Sequence, residues 1–163
     1  MTQYIYFYGY SSKNPYNYFS NFYPLNFKDT NGTIYCCSEQ YFMKKKQERF
    51  DVSNEELANK IMNSKNPKEI KKLGRQVKNF DEEIWNKERY DIMKDALKLK
   101  FSQEELKNKL VSTGNAILVE ASPTDRIWGI GMNESQVNST HTNWKGLNLL
   151  GRALMEIREE LAN

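Results

Sequence analysis

Glu39 and Lys46 lie seven residues apart in Ser38-Glu39-Gln40-Tyr41-Phe42-Met43-Lys44-Lys45-Lys46, a stretch of good helix formers without glycine or proline. At about 100° per residue, seven steps leave the two side chains about 20° apart around a helix axis, so they share a face. A carboxylate beside an amine can shuttle protons, and the amine becomes a nucleophile once it is neutral. The same arithmetic turns Lys44 and Lys45 elsewhere. If one lysine of this trio enters a pocket with Glu39, it is therefore Lys46. A solvated pair on a polar helix face would show the same spacing, and spacing alone does not separate the two readings.

Other chemistries are narrowed by what the chain contains. His141 is its only histidine, which excludes a multi-histidine metal site, and Cys36 and Cys37 do not combine with it at a zinc-binding spacing. No metal and no cofactor is expected, with carboxylate-bound magnesium left open. There is no Walker loop, and Gly129-Ile130-Gly131 lacks the third glycine and the strand-to-helix context of a dinucleotide fingerprint. No nucleophile elbow is present for His141 to serve. The adjacent cysteines are poorly placed for an ordinary disulfide and are expected to be reduced and structural. A net charge of +3 permits an anionic ligand without marking a broad nucleic-acid-binding face. No apolar run approaches the roughly 20 residues that span a bilayer, and Met1-Thr2-Gln3-Tyr4 does not open a basic-then-apolar leader, so no membrane association and a cytoplasmic location are expected.

These residues need elements to position them. Residues 4–10 and 22–28 carry the aromatic and β-branched bias of strands, and Asp29-Thr30-Asn31-Gly32 supplies turn chemistry ahead of Thr33-Ile34-Tyr35-Cys36, which predicts a short hairpin. Ser38 is a candidate cap for a helix starting at about residue 38. Short helices are expected over 54–63 and 67–73, the second opening at Pro67, and the longest over about 82–100 with Trp85, Ile92, Ala96 and Leu99, flanked by Met93 and Leu97, as its core face. A helix over about 103–112 ends near Gly114 and precedes the strand candidate Ala116–Ala121. Leu147, Leu150, Leu154, Ile157 and Leu161 mark the last helix by steps of three and four. At 163 residues, 39% of them hydrophobic, this is one compact α+β domain spanning 1–163, mostly helical with a few short strands. The loops around 11–20 and 122–144 are long enough to build a site.

Five blocks in order resemble one family. Phe19-Ser20-Asn21-Phe22, Ser38-Glu39-Gln40-Tyr41-Phe42-Met43 with Lys46, Gly74-Arg75, the Trp85 helix ending Ala96-Leu97-Lys98-Leu99-Lys100-Phe101, and Asp125-Arg126-Ile127-Trp128-Gly129-Ile130-Gly131 followed by Gly146-Leu147-Asn148-Leu149-Leu150-Gly151 are similar to the NADAR family, which includes the YbiA-like bacterial proteins. The likeness spans nearly the whole chain.

The resemblance implies a mostly helical α+β fold and N-glycosidic cleavage. One branch acts on ribosylamino-pyrimidine intermediates of riboflavin synthesis, and another removes ADP-ribose from guanine bases. By position, the catalytic lysine falls on Lys46, its acid on Glu39, and the loop aspartate and tryptophan on Asp125 and Trp128. Phe19 and Trp128 are candidates to stack on base or sugar. Ser20, Asn21, Tyr41, Arg75 and Asn148 are the polar and aromatic substrate-binding candidates, and Gly129 and Gly131 allow close approach to a phosphate. Gln40 and Ile130 replace a histidine and an aspartate of the YbiA-like pattern, which points away from the riboflavin intermediates. The expected partner is therefore ADP-ribosylated guanine in nucleic acid, or a ribosylated small molecule. A module that holds ADP-ribose or NAD without turnover is the alternative of another class.

Overall fold

The computed structural model describes residues 1–163 as six α-helices and four short strands, 47% helix and 7% strand, which makes the chain α+β and helix-rich as expected. It divides into two units, residues 1–20 with 101–163, and residues 21–100, and each is described by itself.

In the first unit β1 (Tyr4–Phe7) pairs in parallel with β4 (Ile117–Glu120), Tyr4 opposite Ile117 and Phe7 opposite Glu120. Parallel neighbours need a crossover connection, and here the whole second unit and α5 (Glu104–Val111) lie between them in sequence. The predicted strand over 4–10 stops at Phe7. Gly9 takes φ +80°, and the Tyr8 carbonyl is claimed by the Asn14 side chain at 2.6 Å, which withdraws the segment from further pairing. The helix α6 (Leu149–Ala162) lies on β4 so closely that a Cβ at Gly151 would come within 2.0 Å of the Leu118 carbonyl oxygen. Arg158 secures its far end, donating to the Ala116 carbonyl and the Thr113 hydroxyl, both at 2.9 Å.

Leu147 corrects the sequence reading. It continues the apolar spacing of α6 but stands outside the helix and is exposed, because Asn148 adopts a left-handed conformation (φ 52°, ψ 41°) that breaks the helical register there.

In the second unit β2 (Phe27–Lys28) and β3 (Ile34–Tyr35) form the expected antiparallel hairpin. Asp29 shapes its turn by accepting from the backbone N–H groups of Asn31 and Thr33, both at 2.9 Å. The strand predicted over 22–28 shrinks to two residues, and Pro24, which has no N–H to donate, falls in the part that is lost. Four helices follow: α1 (Ser38–Phe50), α2 (Glu55–Asn63), α3 (Pro67–Gly74) and α4 (Glu82–Lys100), with α1 packed against the other three. Local chemistry sets their starts. Asn54 caps α2 through the Leu57 N–H, and Asn66 caps α3 through Lys68 and Glu69 with Pro67 in the first turn. The buried face of α4 is Trp85, Met93, Ala96, Leu97 and Lys100, rotated from the predicted stripe so that Ile92 and Leu99 are only half-buried.

Asn148 is the joint of the first unit. Its side-chain oxygen accepts from the Glu120 N–H at 2.9 Å and its amide donates to the Leu118 carbonyl at 3.0 Å, both on β4. Asn148→Ala leaves two buried backbone groups without partners and puts alanine in a left-handed conformation, a loss of about 3 kcal/mol from those two effects. Urea denaturation should show this as a lower midpoint at unchanged slope.

Candidate active site

α1 buries polar residues, Ser38, Glu39 and Gln40 at its start and Gln47 in its second half. Such groups must be hydrogen-bonded to be tolerated there. Ser38 was expected to cap the helix, but it is the first helical residue and its hydroxyl donates to the Asn21 side-chain oxygen at 2.9 Å. The Glu39 N–H donates to the Asn21 carbonyl at 3.0 Å, so Asn21 fixes both residues at the start of α1. Gln40 accepts from the Cys36 N–H at 2.7 Å and donates to the carbonyls of Ile61 and Ser64, both at 3.0 Å, tying α1 to the end of α2. Gln47 donates to the Asp51 carbonyl at 2.9 Å, while its buried side-chain oxygen is left without a partner.

Lys46 emerges from this face half-buried. Its Nζ donates to the Gly74 carbonyl at 2.9 Å and lies 4.5 Å from the centre of the Phe80 ring. Partial burial lowers its pKa from the ordinary lysine value. Glu39 works against that shift, and Arg75 works with it. Lys44 and Lys45 play no such part, contrary to what their proximity in sequence suggests: both turn to Glu48, at 2.9 and 3.1 Å. Gly74 is required by packing, since a Cβ there would meet the Met43 sulfur at 1.9 Å. Close approach of α3 to α1 is thus what delivers the Gly74 carbonyl to Lys46.

Within this unit, then, Asn21, Glu39, Lys46 and Arg75 are connected. Arg75 is exposed at the end of α3, following Lys71 and Lys72 in its last turn. Tyr41 faces differently: its ring is buried against Phe27 and Tyr35, and burial raises its hydroxyl to about 12.

The remaining candidates lie in the other unit. Asp125 organises its loop, one carboxylate oxygen accepting from the N–H groups of Ile127 and Trp128 at 2.9 Å each. The carbonyls of Ile127, Trp128 and Gly129 accept from the N–H groups of Leu149, Leu150 and Asn148, closing the start of α6. A Cβ at Gly129 would be 3.0 Å from the carbonyls of Asp125 and Glu120, and one at Gly131 (φ +71°) 2.8 Å from the Arg126 side chain, so both glycines permit this folding of the loop. Trp128 is half-buried. Phe19 is fully buried among Phe7, Tyr16, Tyr18 and Phe101, and Ser20 is buried beside it in sequence. His141 stacks on Tyr4 with ring centres 3.7 Å apart and hydrogen-bonds Tyr6 through Nδ1.

The two positions that depart from the YbiA-like pattern have structural roles. Gln40 is a helix clamp, and Ile130 is fully buried with Val119, Ala121 and Met132. Both positions are held by contacts within their own unit.

Lys100 escaped the sequence reading. It is 1% exposed at the end of α4, with its Nζ 5.6 Å from the centre of the Tyr23 ring, and burial pushes its pKa down to about 7, opposed weakly by Cys37. The signal was available: position 100 is three and four residues beyond Leu97 and Ala96, on the buried stripe.

Comparison with known proteins places this architecture. The model of the NADAR domain matches residues 6–162, and the chain belongs to the NADAR family. It is 44% identical over 167 residues to "N-glycosidase R617" of Acanthamoeba polyphaga mimivirus, covering 97% of this chain and 96% of that protein. It is 35% identical over 153 residues to the chloroplastic riboflavin biosynthesis protein PYRR of Zea mays, covering 88% of this chain but 23% of that one. The NMR structure of E. coli YbiA matches with a TM-score of 0.76 at 31% identity, over 99% of this chain and 88% of that one. No helix of this chain is long and apolar enough to cross a membrane.

The buried Lys100 makes stability depend on pH with a definite sign. Its folded pKa of about 7 lies below the unfolded lysine value of about 10.4, so between these values the unfolded chain binds more protons and stability rises with pH. Urea midpoints compared between pH 7 and pH 10 should rise more for the wild type than for Lys100→Met. Parallel curves would mean that Lys100 titrates normally in the fold.

Proposed function

We propose that this chain is an N-glycosidase that cleaves a ribose C1–N bond through a Schiff base on Lys46, with ADP-ribosylated guanine as its substrate. The observation that carries this reading is the setting of Lys46. It is a lysine with a depressed pKa, still partly open to solvent, on the same helix face as a buried carboxylate. Relatives across the full length of the chain that are named N-glycosidases support the reaction class.

Neutral Lys46 attacks C1 of the ribose as the C1–N bond breaks, and the departing base takes a proton from Glu39 or from water. The ring oxygen then leaves C1 with a proton, giving an opened sugar joined to Lys46 as an imine. Water adds to that imine carbon, the C–N bond to Lys46 breaks, and the free sugar and the lysine are restored. Asn21, through its two bonds to Ser38 and Glu39, is the positioning residue for the carboxylate. Arg75, with Lys71 and Lys72, offers exposed cations suited to a diphosphate. By their positions in the family pattern, Asp125 and Trp128 are the candidates of the first unit for ribose hydroxyls and base. Phe19, Ser20, Tyr41, Asn148, Gly129 and Gly131 act by holding the scaffold.

The similarity to the maize riboflavin protein favours a second reading, in which the ribosylated base is a pyrimidine intermediate. The two substrates are to be offered side by side, with borohydride present to trap the imine. Release of ADP-ribose and intact guanine, with an adduct mapped to Lys46, is the expected outcome. Lys46→Ala should lose the adduct and at least about a thousandfold in kcat, the scale of a lost nucleophile. The acid limb of the kcat/KM profile should rise with pH to an apparent pKa below the ordinary lysine value, because the neutral amine is the reactive form. Turnover of the pyrimidine alone would move the substrate to the second reading, and binding of ADP-ribose with neither product nor adduct would make the chain a binding module.

A further inference from the structure

Two thiols stand directly ahead of α1, and the glycosidase reading does not use them. Cys36 and Cys37 are both free, with their sulfurs 3.9 Å apart and sharing a hydrogen bond. They differ in surroundings. Cys37 is 2% exposed, whereas Cys36 is half-buried with its sulfur 3.8 Å from the Ser64 carbonyl. The Cys36 backbone is held by Gln40, the same side chain that clamps the end of α2. The shared hydrogen bond and then the charge of Lys65 draw the Cys36 thiol below its ordinary range, while that bond and burial push Cys37 up. One sulfur is therefore accessible and inclined to ionise, and its neighbour is sheltered and protonated. That asymmetry makes Cys36 the sulfur that meets an oxidant first, with Cys37 as the second sulfur within reach of it.

We propose that Cys36 is a peroxide-reactive modification site and that Cys37 resolves it, giving a reversible vicinal disulfide at the entrance to α1. The Cys36 thiolate attacks one oxygen of hydrogen peroxide, the O–O bond breaks, and the departing hydroxide takes a proton to become water, leaving a sulfenic acid on Cys36. The Cys37 sulfur then attacks the Cys36 sulfur, the S–O bond breaks, and hydroxide leaves with the Cys37 proton as a second water. The two thiols together give up two electrons to the peroxide.

Closing the bond brings the sulfurs from 3.9 Å to about 2.05 Å within a small ring that includes a peptide unit, so the product is strained and readily reduced by a thiol. The strain falls on the backbone that enters α1. Cys37 is the extended residue capping that helix (φ −169°, ψ 164°), and Ser38 and Glu39, both fixed to Asn21, follow it. Oxidation would thus displace Glu39. This consequence for turnover rests on the glycosidase reading, whereas the thiol chemistry does not.

The test is peptide mapping by mass spectrometry after hydrogen peroxide treatment of the full chain. The wild type should lose two hydrogens from the peptide holding both cysteines and regain them with dithiothreitol. Before oxidation, iodoacetamide should label Cys36 at least tenfold faster than Cys37. Cys37→Ser should accumulate a dimedone-trapped sulfenic acid on Cys36, and Cys36→Ser should give neither product. Absence of the two-hydrogen loss in the wild type, preferential labelling of Cys37, or a disulfide formed only between two copies would each overturn the proposal, and none depends on a variant folding. If the disulfide forms and glycosidase turnover is unchanged, the site stands and its coupling to Glu39 fails. If no turnover is ever seen, the glycosidase reading fails separately.

Discussion

The second unit is organised around the burial of a polar helix start. Each buried hydroxyl, amide or carboxylate at the head of α1 would cost about 1–3 kcal/mol if left without a partner, so the segments around it are constrained to provide partners. Asn21 must reach the Ser38 hydroxyl and the Glu39 N–H, the end of α2 must present its carbonyls to Gln40, and the turn after α1 must return to the Gln47 amide. These bonds hold α1 in one rotation about its axis. That rotation sends Glu39 inward and leaves Lys46, seven residues on, at the boundary where α3 arrives with the Gly74 carbonyl. The chemistry proposed for the pair is a consequence of how the helix is held.

The first unit solves a comparable problem at the start of α6. A helix N-terminus with open N–H groups is a common anion site. Here Asn148, Leu149 and Leu150 donate to carbonyls of the loop carrying Asp125 and Trp128, and the loop folds back tightly enough to require glycine at 129, 131 and 146. The glycine-rich look of this segment therefore reflects backbone packing against backbone. The first N–H groups of the helix are thereby spent on loop carbonyls.

Periodicity and turn residues made most of the fold legible. The helix expected to open at Pro67 does so, and the Asp29 turn forms the hairpin expected from its residues, whereas the one cap read from the sequence, Ser38, is the first helical residue. What failed were features decided by tertiary partners. Strand length depends on what a neighbour can pair with, so both N-terminal strands came out short. Leu147 matched a period without belonging to the helix, because the conformation of one asparagine outweighs spacing. That Gln40 clamps the end of α2 and Ile130 fills a core position was likewise not readable from their places in the sequence. The Glu39–Lys46 face was readable because helical geometry alone creates it. The depressed Cys36 thiol was not, since it depends on which cysteine the surrounding chain covers.

Two lysines of the second unit have lowered pKa values, and the difference between them bears on which one can react. Lys100 is the more perturbed, at about 7, but is 1% exposed, so its amine cannot meet a sugar without the surrounding chain opening. Lys46 is shifted less, because it is only half-buried and Glu39 partly restores its charge, and its amine is held by a single carbonyl. A nucleophile needs both a neutral fraction and a path to its target, and the neutral form counts only where the target can reach it. On the glycosidase reading, the carboxylate that holds back the shift in Lys46 also carries the proton it releases. Partial burial near a buried acid therefore, on that same reading, suits Lys46 to the proposed chemistry better than the stronger perturbation suits Lys100.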